Sequence, residues 1–184
     1  AANGKLQHAC IGVGGMGAGD LQNFLAHPGL RIVALCDVDA NHLDQAKRQV
    51  PDARTYTDWR ELIAKEGDRI DSVNVSVPDH MHAPIALTAM RAGKHVYCQK
   101  PMCHDVAEVR ALTEAAKKTG LVTQLGTQHA TGFGDRMAVG FIRAGVIGKV
   151  KHLYLCSNRT GAEHYRLAGP RPPGQPVPAQ LDWE

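Results

Sequence analysis

Short apolar runs alternate along most of the chain with longer stretches whose apolar positions recur every three or four residues. The runs predict buried strands and the stretches predict amphipathic helices. The first strand is Leu6–Ile11, and after a glycine-rich turn comes a helix with Leu21, Phe24 and Leu25 on one face. A second strand covers residues 31–36, and another helix starts near Asn41. Thr57 or Asp58 caps the next helix, which carries Trp59, Leu62 and Ile63; Asp58 and Glu61 have the spacing of a capping box. Residues 71–77 predict a strand, followed by a helix entered through Pro84 and ended by Gly93. A strand at 94–99 leads to a helix starting at Asp105, with Glu108 three positions on and Val106, Val109 and Leu112 along one face. Residues 121–126 form a further strand, and 133–144 a helix closed by Gly145. Continuous alternation of this kind predicts an α/β fold with a doubly wound parallel sheet.

Two segments depart from that pattern. Val73, Val75 and Val77 alternate with Ser72, Asn74 and Ser76, which predicts a strand buried on one face only. Past Lys149 the alternation stops: residues 150–156 read as one more strand, and 169–179 are rich in proline and glycine without periodicity. A lone strand cannot bury itself, so the tail is expected to be disordered, packed on the first domain, or paired with another copy of the chain. Residues 1–148 are therefore read as one domain and 149–184 as the start of an incomplete second one.

The turn after the first strand is Gly12-Val-Gly14-Gly15-Met16-Gly17, and Asp37 stands at the end of the second strand, 20 positions after Gly17. Strand, glycine turn, helix and strand ending in a carboxylate compose a dinucleotide-binding unit, which makes the predicted sheet a Rossmann fold. Gly12 permits the tight turn, Gly14 lets the backbone approach a pyrophosphate, and Gly17 lets the helix pack close to its strand. The phosphates would sit on the helix N-terminus, where backbone N–H groups and the helix dipole favour an anion. Asp37 can accept hydrogen bonds from ribose hydroxyls but would repel a 2′-phosphate, and Val38, Asp39 and Ala40 supply no cation to offset that. The expected cofactor is NAD rather than NADP. Asp39 is free to cap the following helix without removing Asp37 from the ribose.

Composition narrows the partners. A formal charge of +3, with cations scattered rather than gathered in a basic stripe, argues against nucleic acid. No apolar run approaches membrane-spanning length, so no membrane partner is expected. Five cysteines, an odd number lying mostly on predicted strands, read as small hydrophobes rather than a disulfide framework. The chain begins at Ala1, which leaves the cytoplasm and, after removal of an export leader, the periplasm both open as compartments. His80, His82, Cys98, Cys103, His104 and His129 lack CxxC or HExxH spacing, so no metal is expected; Cys98 or Cys103 as a nucleophile is an equally weak reading.

A second motif closes the strand at 94–99. The run Val77-Pro-Asp-His-Met-His82-Ala-Pro84, followed by Ala92-Gly-Lys-His-Val-Tyr-Cys-Gln-Lys100-Pro101, resembles the Gfo/Idh/MocA family of NAD(P)-dependent oxidoreductases, typified by glucose-fructose oxidoreductase and inositol dehydrogenase. The resemblance covers residues 6 to about 160, with Gln99 in the acidic position of the family's Glu-Lys-Pro signature. It implies that Gly12, Gly14, Gly15, Met16 and Gly17 hold the pyrophosphate and Asp37 the adenosine ribose. It implies that Ser76, Val77, Pro78, Asp79 and His82 line the cofactor, as do Gln99, Lys100 and Pro101, and that Gln128 stands near the nicotinamide. Lys100 is the implied catalytic residue, orienting and polarising the hydroxyl of a sugar or polyol during hydride transfer. Gln99 removes a negative charge beside Lys100, which should hold its ammonium form less firmly.

The resemblance also implies a histidine acid or base in the second domain, and no such segment occurs up to Glu184. The leading expectation is thus a cofactor-binding fragment of an NAD-dependent oxidoreductase of sugars or polyols. An NAD-dependent glycoside hydrolase of the same fold is the first alternative, and retention of Lys100-Pro101 leans away from it. The second is a non-catalytic NAD-binding or assembly module, a homo-oligomer joined through its terminal strand.

Overall fold

A computed structural model describes residues 4–156, 174 and 176–182. Six strands form one parallel sheet: β1 (Leu6–Ile11), β2 (Leu30–Cys36), β3 (Arg54–Tyr56), β4 (Ser72–Val75), β5 (His95–Gln99) and β6 (Thr123–Gly126), in the order β3-β2-β1-β4-β5-β6. Helices α1 (Gly15–Leu25), α2 (Ala40–Gln49), α3 (Trp59–Glu66), α4 (Asp79–Arg91) and α5 (Val106–Thr119) connect them. The doubly wound architecture is as the hydrophobic pattern predicts. Strand order reverses between β1 and β4, which opens a crevice at their carboxyl ends, where such sheets bind ligands.

Local chemistry sets the helix starts. Asp39 caps α2 by accepting from the backbone N–H groups of Asn41 (2.8 Å) and His42 (3.4 Å). Asp58 caps α3 through Arg60 N–H, and Asp105 caps α5 through Glu108 N–H. Glu61 completes no capping box; it pairs with Lys65 one turn on. Helix α5 ends at Gly120, whose φ of 63° is the left-handed conformation usual there. Apolar cores lie on both faces of the sheet. Leu21 and Leu43 cover Ile32 and Leu35, whereas Leu62, Ile85, Met90 and Leu112 pack with Val73, Val75 and Val96.

Three expectations are corrected. The strand predicted to be half buried is covered on both sides: Val73, Asn74 and Val75 are all fully buried. Its polar positions belong to an internal hydrogen-bond network, so alternation here reports buried polarity and not solvent. Helix α4 starts at Asp79, five residues before the Pro84 that was expected to open it. Buried contacts of His82 and Ala83 hold this first turn, and Pro84 forgoes one intrahelical N–H bond. Residues 150–156 carry no strand, and no strand among the described residues stands beside them to complete a ladder. Strand β3 escaped the sequence reading because three residues show no period. The proline- and glycine-rich stretch 169–179 lies mostly outside the described residues.

Cα proximity divides the chain into two units. Residues 128–177 form one, with the 3₁₀ turn Gln128–Thr131 and helix α6 (Phe133–Arg143), whose Phe133 and Phe141 are exposed. The other holds the sheet and, beyond the gap, the described residues 178–182. These make a one-residue antiparallel bridge, Asp39 to Leu181.

Two buried titratable groups brace the sheet. Glu66 is fully buried; burial opposes its ionisation, but Arg54, Tyr56 and Arg69 outweigh that and hold its carboxyl below the usual range. His8 stacks on Phe24 at 4.6 Å and lies 2.7 Å from the Ser72 hydroxyl, and burial pushes its pKa from 6.5 down to about 4. Neutral His8 is favoured in the fold, so the unfolded chain binds the proton first as pH falls. Between pH 6.5 and 4 the protein should lose about 3 kcal/mol of stability from this residue. Urea denaturation across that range checks it: His8→Phe should flatten the decline, and an unaltered decline would assign the loss elsewhere. Glu66 acts lower, its contribution vanishing as pH falls through its depressed pKa.

Candidate functional site

A groove of about 630 Å³ runs over the carboxyl ends of β1, β2 and β4. Its floor is the glycine turn, and the surrounding backbone leaves no room for a Cβ at Gly12 or Gly17. Gly12 has φ +80°, and a Cβ on it would lie 2.2 Å from the Ser76 carbonyl oxygen. A Cβ on Gly17 would lie 2.1 Å from the Gly12 carbonyl oxygen, and one on Gly14 would meet the His42 ring at 2.2 Å. The first two collisions are with backbone that cannot move aside; the third is with a side chain that can. Helix α1 therefore starts directly against the turn, with no acidic residue in its first turn to repel an anion.

Asp37 organises the same corner. One carboxylate oxygen accepts from Val13 N–H (2.8 Å) and Gly14 N–H (3.1 Å), and the other accepts from Asp39 N–H (2.9 Å). The residue thus shapes the glycine turn as well as facing the groove, a task that sequence spacing did not reveal. Asp37, Asp39, Asp58 and Asp182 all line the groove, together with the basic groups Arg60, His42 and His80. Arg60 is drawn to Asp58 at 3.4 Å and stacks on Trp59, its guanidinium 4.6 Å from the ring centre. Sequence neighbours of Asp37 supply no cation, as read; the fold brings His42 to 3.8 Å and Arg60 to the same wall. The carboxylates still outnumber them, which disfavours a 2′-phosphate at this end.

Beneath the floor lies a buried polar network. The Asp20 carboxylate accepts from the Ser76 hydroxyl (2.7 Å) and from the Gln99 amide (2.8 and 3.1 Å), and Asn74 donates to Ser76 at 2.9 Å. The other end of Gln99 accepts from Lys100 N–H at 3.2 Å. Gly126, at the end of β6, leaves room for it: a Cβ there would meet the Gln99 side chain at 3.0 Å. Gln99 thus joins the turn carrying Lys100 to helix α1 through Asp20. His82 adds a second brace, its ring nitrogens lying 2.6 Å from the Pro101 carbonyl oxygen and 2.8 Å from that of Val77. The Lys100–Pro101 peptide is cis.

Among the residues singled out from the sequence, Gly12, Gly14, Asp37, Ser76, Val77 and Pro78 lie on the groove wall. Gly15 and Met16 are exposed at the start of α1, and Gly17 is buried against the turn. Asp79 is exposed at the start of α4, Lys100 is exposed at the end of β5, and Gln99 and His82 are buried below. Gln128 belongs to the other unit. Asp20, His42, Trp59, Arg60, Leu181 and Asp182 were not foreseen. Only Asp20, a carboxylate on the inner face of a predicted helix, left a visible sign in the sequence.

Burial pushes the thiols of Cys36 and Cys98 up to about 12 and raises that of Cys103, so these cysteines stay protonated and suit packing. Cysteines among the described residues are all free. His104, Asp105 and Glu108 form the one described cluster compact enough for a metal, but Asp105 is the α5 cap and His104 pairs with Glu108. His129 lies outside the residues whose side chains are described. A smaller cavity of about 280 Å³ between α4, α5 and the β5/β6 edge is lined mainly by apolar groups, without the convergent polar groups of a cofactor site. No described helix is long and apolar enough to cross a membrane.

Sheet order, glycine cradle and strand-end carboxylate together define a dinucleotide-binding Rossmann domain. A family profile described as the oxidoreductase family with an NAD-binding Rossmann fold, Gfo/Idh/MocA, matches residues 6–127, and the chain belongs to this family. Over 118 residues it is 40% identical to a glycosyl hydrolase family 109 protein of Saccharopolyspora erythraea, covering 59% of this chain and 25% of that protein. The crystal structure of myo-inositol 2-dehydrogenase from Lactobacillus plantarum superposes with a TM-score of 0.75 at 30% identity, covering 79% of this chain and 43% of that one. A scyllo-inositol dehydrogenase from Lactobacillus casei, with bound NAD(H) and scyllo-inositol, shares the fold with a TM-score of 0.73 at 23% identity, covering 79% and 43%. The chain thus spans a quarter of that curated relative and about two fifths of the two solved chains.

Proposed function

We propose that residues 1–148 are the cofactor domain, and 149–184 the start of the second domain, of an NAD-dependent oxidoreductase acting on a secondary alcohol of a sugar or polyol. The observation supporting this most directly is the glycine cradle with no space for a Cβ at Gly12 or Gly17, set beside a carboxylate-rich groove end. In this reading the turn from Gly12 to Gly17 and the first turn of α1 hold the pyrophosphate, and Asp37 with its neighbours holds the adenosine ribose. Ser76, Val77 and Pro78 flank the path toward the nicotinamide. When bound, NAD supplies the hydride acceptor or donor. Lys100 orients and polarises the substrate hydroxyl, while Gln99 and His82 act from beneath by fixing the Lys100–Pro101 turn. The names of the inositol dehydrogenases favour a polyol substrate.

NADH fluorescence titration of the chain tests the cofactor assignment. NADH should bind at least about tenfold more tightly than NADPH, one carboxylate-to-phosphate repulsion being enough for that ratio. Equal or reversed affinities would remove Asp37 from the ribose. A second reading, NAD-dependent glycoside hydrolysis, is favoured by the 40% identity to a family 109 glycosyl hydrolase. Products separate the two in the intact protein: dehydrogenation of a polyol accumulates one NADH per turnover, whereas an aryl glycoside hydrolysed by transient oxidation releases its aglycone with no net NADH.

A further inference from the structure

Residues 178–182 return to the sheet unit at one place, the loop between β2 and α2. The Asp182 N–H donates to the Val38 carbonyl at 2.8 Å, and the Ala40 N–H donates to the Gln180 carbonyl at 2.9 Å. Between these bonds Leu181 pairs with Asp39 as an antiparallel bridge, and a turn closed by Leu181 N–H to the Pro178 carbonyl (3.0 Å) sets its direction. The loop it covers starts at Asp37, so the strap lies where a ribose held by that carboxylate would meet its base. Leu181 is partly buried there although its neighbours on the strap are exposed. Leu181 and Asp182 line the groove together with Trp59, Arg60 and Val38.

We infer that this strap is a cofactor-binding element that closes the adenosine end of the groove, with Leu181 as the apolar contact for the adenine. The inference rests on the groove holding a dinucleotide. An adenine ring is planar and apolar on both faces, and the groove offers it Trp59 and Arg60 from the β3 side and Leu181 from the strap. Asp182 adds a further carboxylate to the end where a 2′-phosphate would sit, reinforcing the choice made by Asp37. Backbone pairing to Val38 and Ala40 fixes the strap without drawing on any side chain that must face the ligand.

The test uses the 184-residue chain with three changes: Leu181→Ser, Asp182→Pro, which removes the N–H donated to Val38, and Leu181→Met as the conservative variant. NADH and ADP-ribose affinities, NADH release rate and the ligand-free melting midpoint are measured for each. Leu181→Ser and Asp182→Pro should weaken NADH and ADP-ribose about tenfold through faster release, with the melting midpoint unchanged and Leu181→Met close to wild type. Unchanged affinities would overturn the strap while leaving the groove assignment intact. Affinities that fall only in step with the melting midpoint would overturn it too, the strap then merely bracing the loop. Failure of the unaltered chain to bind NADH or ADP-ribose would instead overturn the groove assignment, and the strap with it.

Discussion

Gly12→Ala is expected to abolish NADH binding and to destabilise the domain by about 2–5 kcal/mol, the sum of a side chain forced to positive φ and an overpacked contact. The new methyl would stand 2.2 Å from the Ser76 carbonyl oxygen, and that oxygen belongs to the segment leaving β4, whose strand is hydrogen-bonded on both sides. Neither partner can retreat without opening the turn proposed to seat the pyrophosphate. Gly17→Ala should behave alike, because its methyl would press on the Gly12 carbonyl. Gly14→Ala should cost less, since it meets only the ring of His42, whose side chain is 44% exposed and free to rotate away. Gly15→Ala meets nothing and carries only its unfavourable φ, roughly 1 kcal/mol. Melting curves and NADH titrations of the four variants check this ranking. A Gly12→Ala protein that binds NADH like the wild type would show that the turn is not the phosphate seat.

The second large effect concerns the residue that departs from the family signature. Gln99→Glu restores the acidic position, yet it should weaken the protein by about 3–5 kcal/mol at neutral pH, because it places a second carboxylate against buried Asp20 with no cation among the partners of either. The two carboxyls would share a proton, raising the upper pKa of the pair above its unfolded value. Stability is then present at low pH and lost as pH rises through that raised value, opposite in sign to the His8 effect. Urea denaturation at pH 5 and pH 8 reads this directly. Asp20→Asn combined with Gln99→Glu should recover most of the loss, since the amide and carboxylate merely exchange sides. A single variant as stable as the wild type at pH 8 would show that the network tolerates both charges, and that the glutamine compensates for nothing.

The Asp20–Gln99 pair also explains how the lysine turn keeps its place without the signature acid. In this chain the negative charge near Lys100 sits on α1 and reaches the turn through the Gln99 amide. Position 99 read in isolation suggests a lost charge. Read with its neighbours, the charge is relocated by 79 positions in sequence and less than 3 Å in space.

Legibility followed the range of the interactions. Alternating apolar runs made the doubly wound sheet visible, because each βα unit buries its own apolar face locally and records that in its period. The cradle was visible as well: glycine is required wherever φ is positive or a Cβ has no room, and Gly12 and Gly17 meet one or both conditions. Asp39, Asp58 and Asp105 announced helix starts for the same local reason. Strand β4 misled because its buried Asn74 looks like a solvent-facing residue until Ser76 and Asp20 are brought beside it. Residues 150–156 misled because β-like composition cannot supply a pairing partner.

The sequence by itself determined the fold class and the glycine turn with its strand-end carboxylate, from which the phosphate seat and the preference for an unphosphorylated ribose are proposed, since these depend on residues close together in one βαβ unit. Tertiary structure alone decided which side chains share the groove. Asp37 tying down the glycine turn, Asp20 reaching Gln99, and Leu181 arriving at Asp39 are meetings of distant residues. Such contacts form only after the chain has paid the entropy of bringing them together, and no periodicity along the chain records them.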